Sequence, residues 1–161
     1  MAVDSTIGAR TYFSVLETLR NELLRQDKVR TVTAGDITQV DLDKQTIFPL
    51  AHIIVNDVSF EPQIITYNIS VLLMDIVHED TTTNEPLIYN NDNEEYVLNS
   101  MLHIGNYVTD RLSKGALYDG NQFVERSTVT AEPFKDRFEN ELAGWAFTFD
   151  ITLRNNIDRC N

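Results

Sequence analysis

Leu142-Ala-Gly-Trp-Ala-Phe-Thr-Phe-Asp-Ile-Thr-Leu-Arg154 holds the clearest periodic pattern in this chain. From Trp145 onward the apolar residues take every second position: Trp145, Phe147, Phe149, Ile151 and Leu153. Ala146, Thr148, Asp150, Thr152 and Arg154 stand between them, all small, polar or charged. Successive side chains of a strand point to opposite faces. The alternation therefore specifies a half-buried strand with an aromatic inner face and a wet outer one. Lying close to the C-terminus, it places the last element of the chain at the centre of the core. Nothing in it has the look of catalysis.

An aromatic strand face needs an apolar partner, and a helix upstream supplies one. Val97, Met101, Ile104, Val108 and Leu112 recur at helical spacing, with Leu98 widening the stripe. Asp92 or Asn93 can cap this helix, Glu94 and Glu95 suit its positive end, and Gly115 can close it. Gly105 falls inside the stripe, where a missing side chain allows close approach to the sheet. An earlier helix is expected from about Ile7 or Thr11 to Gln26, with Tyr12, Leu16, Leu19 and Leu23 facing inward.

Between the helices the chain reads as strands. Val29–Thr33 and Ile37–Leu42 are short candidates on either side of a turn at Gly35-Asp36. Phe48–Val58 is longer, with Pro49 near its start and Asn56-Asp57 placed to open a turn. The longest runs from Gln63 to Val77, where Ile65, Tyr67, Ile69, Val71 and Leu73 alternate with mostly polar residues. After Leu73 the apolar phase slips to Met74 and Ile76, the signature of a bulge or a change of partner. From His78 to Asn93 the sequence turns aperiodic and polar around Leu87, Ile88 and Tyr89. That stretch reads as either a solvated loop or an extended arm that orders against a partner. Phe123–Ala131 is expected to be extended, and Glu132–Asn140 to form a loop before the closing strand. No repeat or Gly-rich linker divides residues 1–161, so the expectation is one α+β domain: a mainly antiparallel sheet with two helices packed on it.

Composition narrows the function. Twenty-five Asp and Glu oppose 13 Lys and Arg, a formal net charge of −12 that disfavours stable binding to phosphate backbones. Solubility is the plain explanation of that charge, and a surface that DNA passes without sticking is the sharper one. Hydrophobic content of 42% excludes wholesale disorder, and no apolar run is long enough to span a bilayer. Met1-Ala-Val-Asp-Ser-Thr6 has neither the basic nor the apolar region of a secretory signal. The single cysteine, Cys160, has no partner for an internal disulfide.

Chemical motifs are scarce. The six glycines are scattered and form no phosphate-cradling loop. His52, His78 and His103 lack a second His or Cys at metal-ligand spacing. His78-Glu79-Asp80 is a weak cation candidate, and Asp36, Asp41 and Asp43 miss the spacing of a calcium loop. With no nucleophile–base or metal constellation, the expectation is a protein without enzymatic activity, catalytic residues, metal or cofactor.

Phe134-Lys-Asp-Arg-Phe-Glu-Asn-Glu-Leu-Ala-Gly-Trp-Ala-Phe-Thr-Phe-Asp-Ile-Thr-Leu-Arg154 and the tail Asn155-Asn-Ile-Asp-Arg-Cys160 carry a resemblance. They are similar to the tail-terminator and tail-completion proteins of tailed bacteriophages, in particular neck and tail ring proteins of crAss-like podoviruses. The order helix, sheet with a long central hairpin, helix and two closing strands extends that resemblance over most of the chain. It implies a structural virion protein assembled in the host cytoplasm. The protein would form a homo-oligomeric ring in the head-to-tail connector, between portal and tail. Double-stranded DNA would pass through the lumen without sequence-specific binding, and no membrane is involved. Met74 and Ile76 at the end of the long strand, with Leu87, Ile88 and Tyr89 of the arm, are the expected subunit contacts. Two other classes stay open: a small hydrolase or ligand-binding domain, and a monomeric acidic adaptor or assembly chaperone.

Overall fold

The computed structural model describes residues 7–36, 47–78, 93–113, 124–126, 128–136 and 142–154. These form α1 (Ile7–Leu24), β1 (Thr31–Ala34), β2 (Leu50–Glu61), β3 (Ile64–Ile76), α2 (Glu94–Arg111), β4 (Val124–Arg126), β5 (Thr130–Asp136) and β6 (Leu142–Arg154). All six strands join one sheet in the order β1-β2-β3-β6-β4, and β5 also pairs with β6. β1 runs parallel to β2, and every other pairing is antiparallel. The fold is α+β, with a mainly antiparallel sheet and two helices on it.

The closing strand is central, as its alternation implies. β6 pairs with β3 over its whole length, from Ile64↔Arg154 to Ile76↔Leu142. Phe147, Phe149, Ile151 and Leu153 are buried on the face that the helices cover. Trp145 is half-buried beside them, and its indole N–H donates to the Leu98 carbonyl at 2.8 Å. From α2 come Val97, Met101, Ile104, Val108 and Leu112; from α1 come Val15, Leu19 and Leu23. Each fully buried aliphatic side chain contributes about 1.5–3 kcal/mol by leaving water. On α1 the inward stripe begins at Val15 rather than Tyr12, which is 40% exposed and meets the Phe13 and Tyr67 rings.

Glycine sets two close approaches. A Cβ at Gly105 would lie 2.0 Å from the Phe147 ring, so α2 settles on that ring only without a side chain. A Cβ at Gly144 would lie 1.9 Å from the Leu73 carbonyl oxygen, a backbone atom with no freedom to move aside.

Four sequence expectations are corrected. The phase slip after Leu73 is not a bulge, since the β3–β6 register runs unbroken from Ile64 to Ile76. Met74 and Ile76 instead point to the opposite face, where Phe48, Leu50, Met74 and Leu142 form a second buried cluster. At this end both faces of the sheet are apolar. The bulge lies in β2, where Asn56 is the extra residue between Val55↔Ile69 and Asp57↔Asn68. Asn56-Asp57 therefore opens no turn, and the hairpin turns at Pro62-Gln63, where Gln63 adopts φ 68°. Proline followed by a positive φ is the requirement of a type II turn. Residues expected as a loop after Ala131 form β5, and only 137–141 fall outside the described residues. Finally, Asn93 takes the capping position of α2 but makes no side-chain cap. Its Oδ1 accepts the His78 N–H at 2.7 Å, and its own N–H donates to the His78 carbonyl at 3.2 Å. The candidate strand 37–42, Gly115 and Cys160 lie outside the described residues.

Candidate assembly surface

The β2–β3 hairpin is the longest feature of the sheet. Thirteen residues of β3 reach roughly 40 Å at strand rise. β1 covers the outer edge of β2 only from Leu50 to Ile53, so the outer edge of Ile54–Glu61 has no described strand beside it. Phe60, near the turn, is 74% exposed, although its cross-strand partner Ile65 is buried. At the tip the packed layer thus covers β3 but leaves the outer β2 strand open at Phe60.

The face of this hairpin away from the helices is polar. Asn56 Nδ2 donates to Asn68 Oδ1 at 2.7 Å and to Ser70 Oγ at 2.8 Å. Asn68 Nδ2 donates to Asp150 Oδ1 at 2.7 Å. Ser70 and Thr148 share a hydroxyl hydrogen bond of 3.0 Å, and Thr66 and Thr152 one of 3.4 Å. The pairing follows from register, because each partner stands opposite or nearly opposite on the neighbouring strand. Asp57, Asp150 and Glu132 add carboxylates, and strand register sets one arginine, Arg154 at the end of β6, on the same face. Small groups that satisfy one another leave few donors for an anionic visitor.

Each sheet edge carries a groove beside a helix. One, of about 360 Å³, lies between α1 and β1 and is lined by Phe13, Leu16, Glu17, Arg20, Val32 and Ala34, among others. The other, of about 740 Å³, lies between α2 and β5, with Asn99, His103, Asn106, Asp110, Ala131 and Phe147 in its walls. The β5 edge is guarded against strand addition by Pro133, which has no N–H, and by Lys135, which is paired with Glu94.

Of the expected subunit contacts, Met74 is buried in the chain's own second cluster and presents no free surface. Hydrophobic alternation hid this, because a partner's covering and an internal one look alike in sequence. Ile76 is half-buried at the rim of the same cluster. Leu87, Ile88 and Tyr89 lie outside the described residues, as does most of the 78–93 arm, whose two ends meet at His78 and Asn93. Sequence reasoning missed Phe60, whose signal was an aromatic residue two positions before Pro62.

The titratable groups do not converge. His52 is buried, and its Nε2 lies 2.9 Å from the Gly35 carbonyl, which can only accept. Nε2 therefore donates, and Nδ1 shares a 2.6 Å hydrogen bond with the Thr33 hydroxyl. An imidazole held at both nitrogens ties β1 to β2. Glu22, also buried, joins α1 to α2 through Arg111 at 3.1 Å and also meets Arg25 at 3.2 Å. Burial pushes Tyr67 and Asp75 above their ordinary ranges, and the hydrogen bond that Arg111 donates to Glu22 raises Arg111. None of the three lines either groove. Among the described residues no cluster of three or more His, Cys, Asp or Glu could hold a metal ion, and no helix is long and apolar enough to cross a membrane. In comparisons with known proteins, neither a family model nor a curated protein matches this chain.

Proposed function

We propose that this chain is a non-enzymatic structural protein of a tailed double-stranded DNA phage, forming a ring in the head-to-tail connector between portal and tail. One observation carries the reading. The sheet face away from the helices bears, along the hairpin, amides, hydroxyls and carboxylates bonded to one another, with Arg154 set on it at the end of β6. Affinity for DNA comes from cations that displace counterions, so such a face lets a duplex pass. The net charge of −12 acts in the same direction. The C-terminal resemblance, from Phe134 to Cys160, supports the family. Closing a ring requires two different complementary patches on each subunit, and the hairpin tip and the edge grooves are suited to that.

Quantitative mass spectrometry of purified particles tests the proposal. The expected result is many copies of the chain per particle. Absence from particles, or steady turnover of a small substrate by the isolated protein, would contradict it. A ligand-binding domain is the second reading, favoured by the polar residues Asn99, His103, Asn106 and Asp110 in the groove beside α2.

A further inference from the structure

We infer that the hairpin tip of one copy seats in the groove between α1 and β1 of a second copy, with Phe60 as the apolar knob and Glu61 facing Arg20. The inference rests on the ring reading above and names its interface. Phe60 sits on the helix-covered face of the sheet yet lies on the stretch of β2 that β1 does not cover, a costly exposure for a large ring in a free chain. Glu61, Pro62 and Gln63 are exposed beside it, and the positive φ of Gln63 fixes the tight turn that presents the knob.

The groove is the counterpart. Phe13, Leu16, Glu17 and Arg20 follow at i, i+3, i+4 and i+7, so one helical stripe of α1 forms its wall. Val32, Ala34 and Ile53 form the floor. Phe13 is 66% exposed at the rim, where a second aromatic ring can pack against it. Arg20 is exposed on the same wall and offers the cation to Glu61; Glu17 shares the wall, so the acid must approach from the Arg20 side. A tip cannot enter its own groove, because Ile53 and Phe60 lie seven residues apart on one strand, roughly 20 Å. The larger groove beside α2 suits the tip less well, since Asp110 in its wall would face Glu61.

A charge swap tests this in the full chain, with Glu61→Arg, Arg20→Glu and the double variant, and with Phe60→Ser to remove the knob. Self-association is read by sedimentation velocity, and incorporation by copy number in particles. Each single variant should weaken assembly at least tenfold, as expected for a central contact, and the double variant should restore it to within about threefold. Phe60→Ser should fail in both charge backgrounds. Unfolding midpoints should match the parent, because all three side chains are exposed. Single variants that assemble normally, or a double variant that fails like the singles, overturn the docking and leave the ring intact. A parent chain that is monomeric both in solution and in particles overturns the ring reading as well.

Discussion

On the helix side of β3, Ile65, Tyr67, Ile69, Val71 and Leu73 lie buried under α1 and α2, while on its other side Thr66, Asn68 and Ser70 form hydrogen bonds across the strands. Further along, Met74 on that second side is buried again, among Phe48, Leu50 and Leu142. The same strand therefore meets three environments. A helix layer covers one face throughout, a small apolar cluster covers the other face at the loop end, and a polar ladder occupies it toward the tip. Stability resides where a face is covered, and the uncovered polar stretch is left for other work. The helix side and the loop end hold the fold, while the tip end of the second face contributes little to it.

Substitutions on the two faces should differ in cost. The largest effect is expected at Gly144, where an alanine Cβ would fall on the Leu73 carbonyl between the two central strands. Gly144→Ala should cost more than about 4 kcal/mol or prevent folding, read by circular dichroism and urea denaturation. A midpoint close to the parent's would show that β3 and β6 can part at this end. Next comes Phe149→Ala on the helix side, expected to cost about 3–5 kcal/mol in urea unfolding. A loss under about 1 kcal/mol there would mean that the aromatic face is not the core.

On the polar face the expectation drops. Asn68→Ala removes hydrogen bonds to Asn56 and Asp150 at a half-exposed site. Thermal unfolding should record a loss of about 1 kcal/mol or less. A loss rivalling that at Phe149 would make the ladder a structural element and remove its freedom for another role.

The smallest effect is a pH dependence. Burial holds the Asp75 carboxyl above its ordinary range, partly offset by the Ile76 N–H and by the His78 and Arg30 charges. The folded state therefore binds this proton more tightly than the unfolded state does. Its contribution is fully present below the unfolded value and is lost as pH rises through the raised folded one. Asp75→Asn should flatten that part of the pH–stability curve, with urea midpoints no lower than the parent's at neutral pH. A variant that instead loses stability steadily toward neutral pH would show that the charged form is the favoured one.

Much of the fold was legible because periodicity reports which face is covered. The alternation from Trp145 to Leu153 and the stripe from Val97 to Leu112 marked the two layers, and Gly105 marked their close contact. What escaped had a physical reason in each case. Alternation cannot tell a bulge from a strand whose opposite face also becomes buried, and Met74 is the second case. Asn56-Asp57 looked like a turn because turn formers and bulge residues share a chemistry. β5 looked like a loop because Pro133 and three charged residues suit a guarded edge as well as a turn. The candidate surface was the least legible part, since an exposed Phe60 differs from a buried phenylalanine only in where the chain puts it.

The most direct test of the assembly role is a three-dimensional reconstruction of particles that contain this chain. The expected result is a closed ring of copies around the DNA path, each with its hairpin tip against the α1–β1 edge of its neighbour. A chain located off the axis in a single copy, or bound to the capsid exterior, would contradict it.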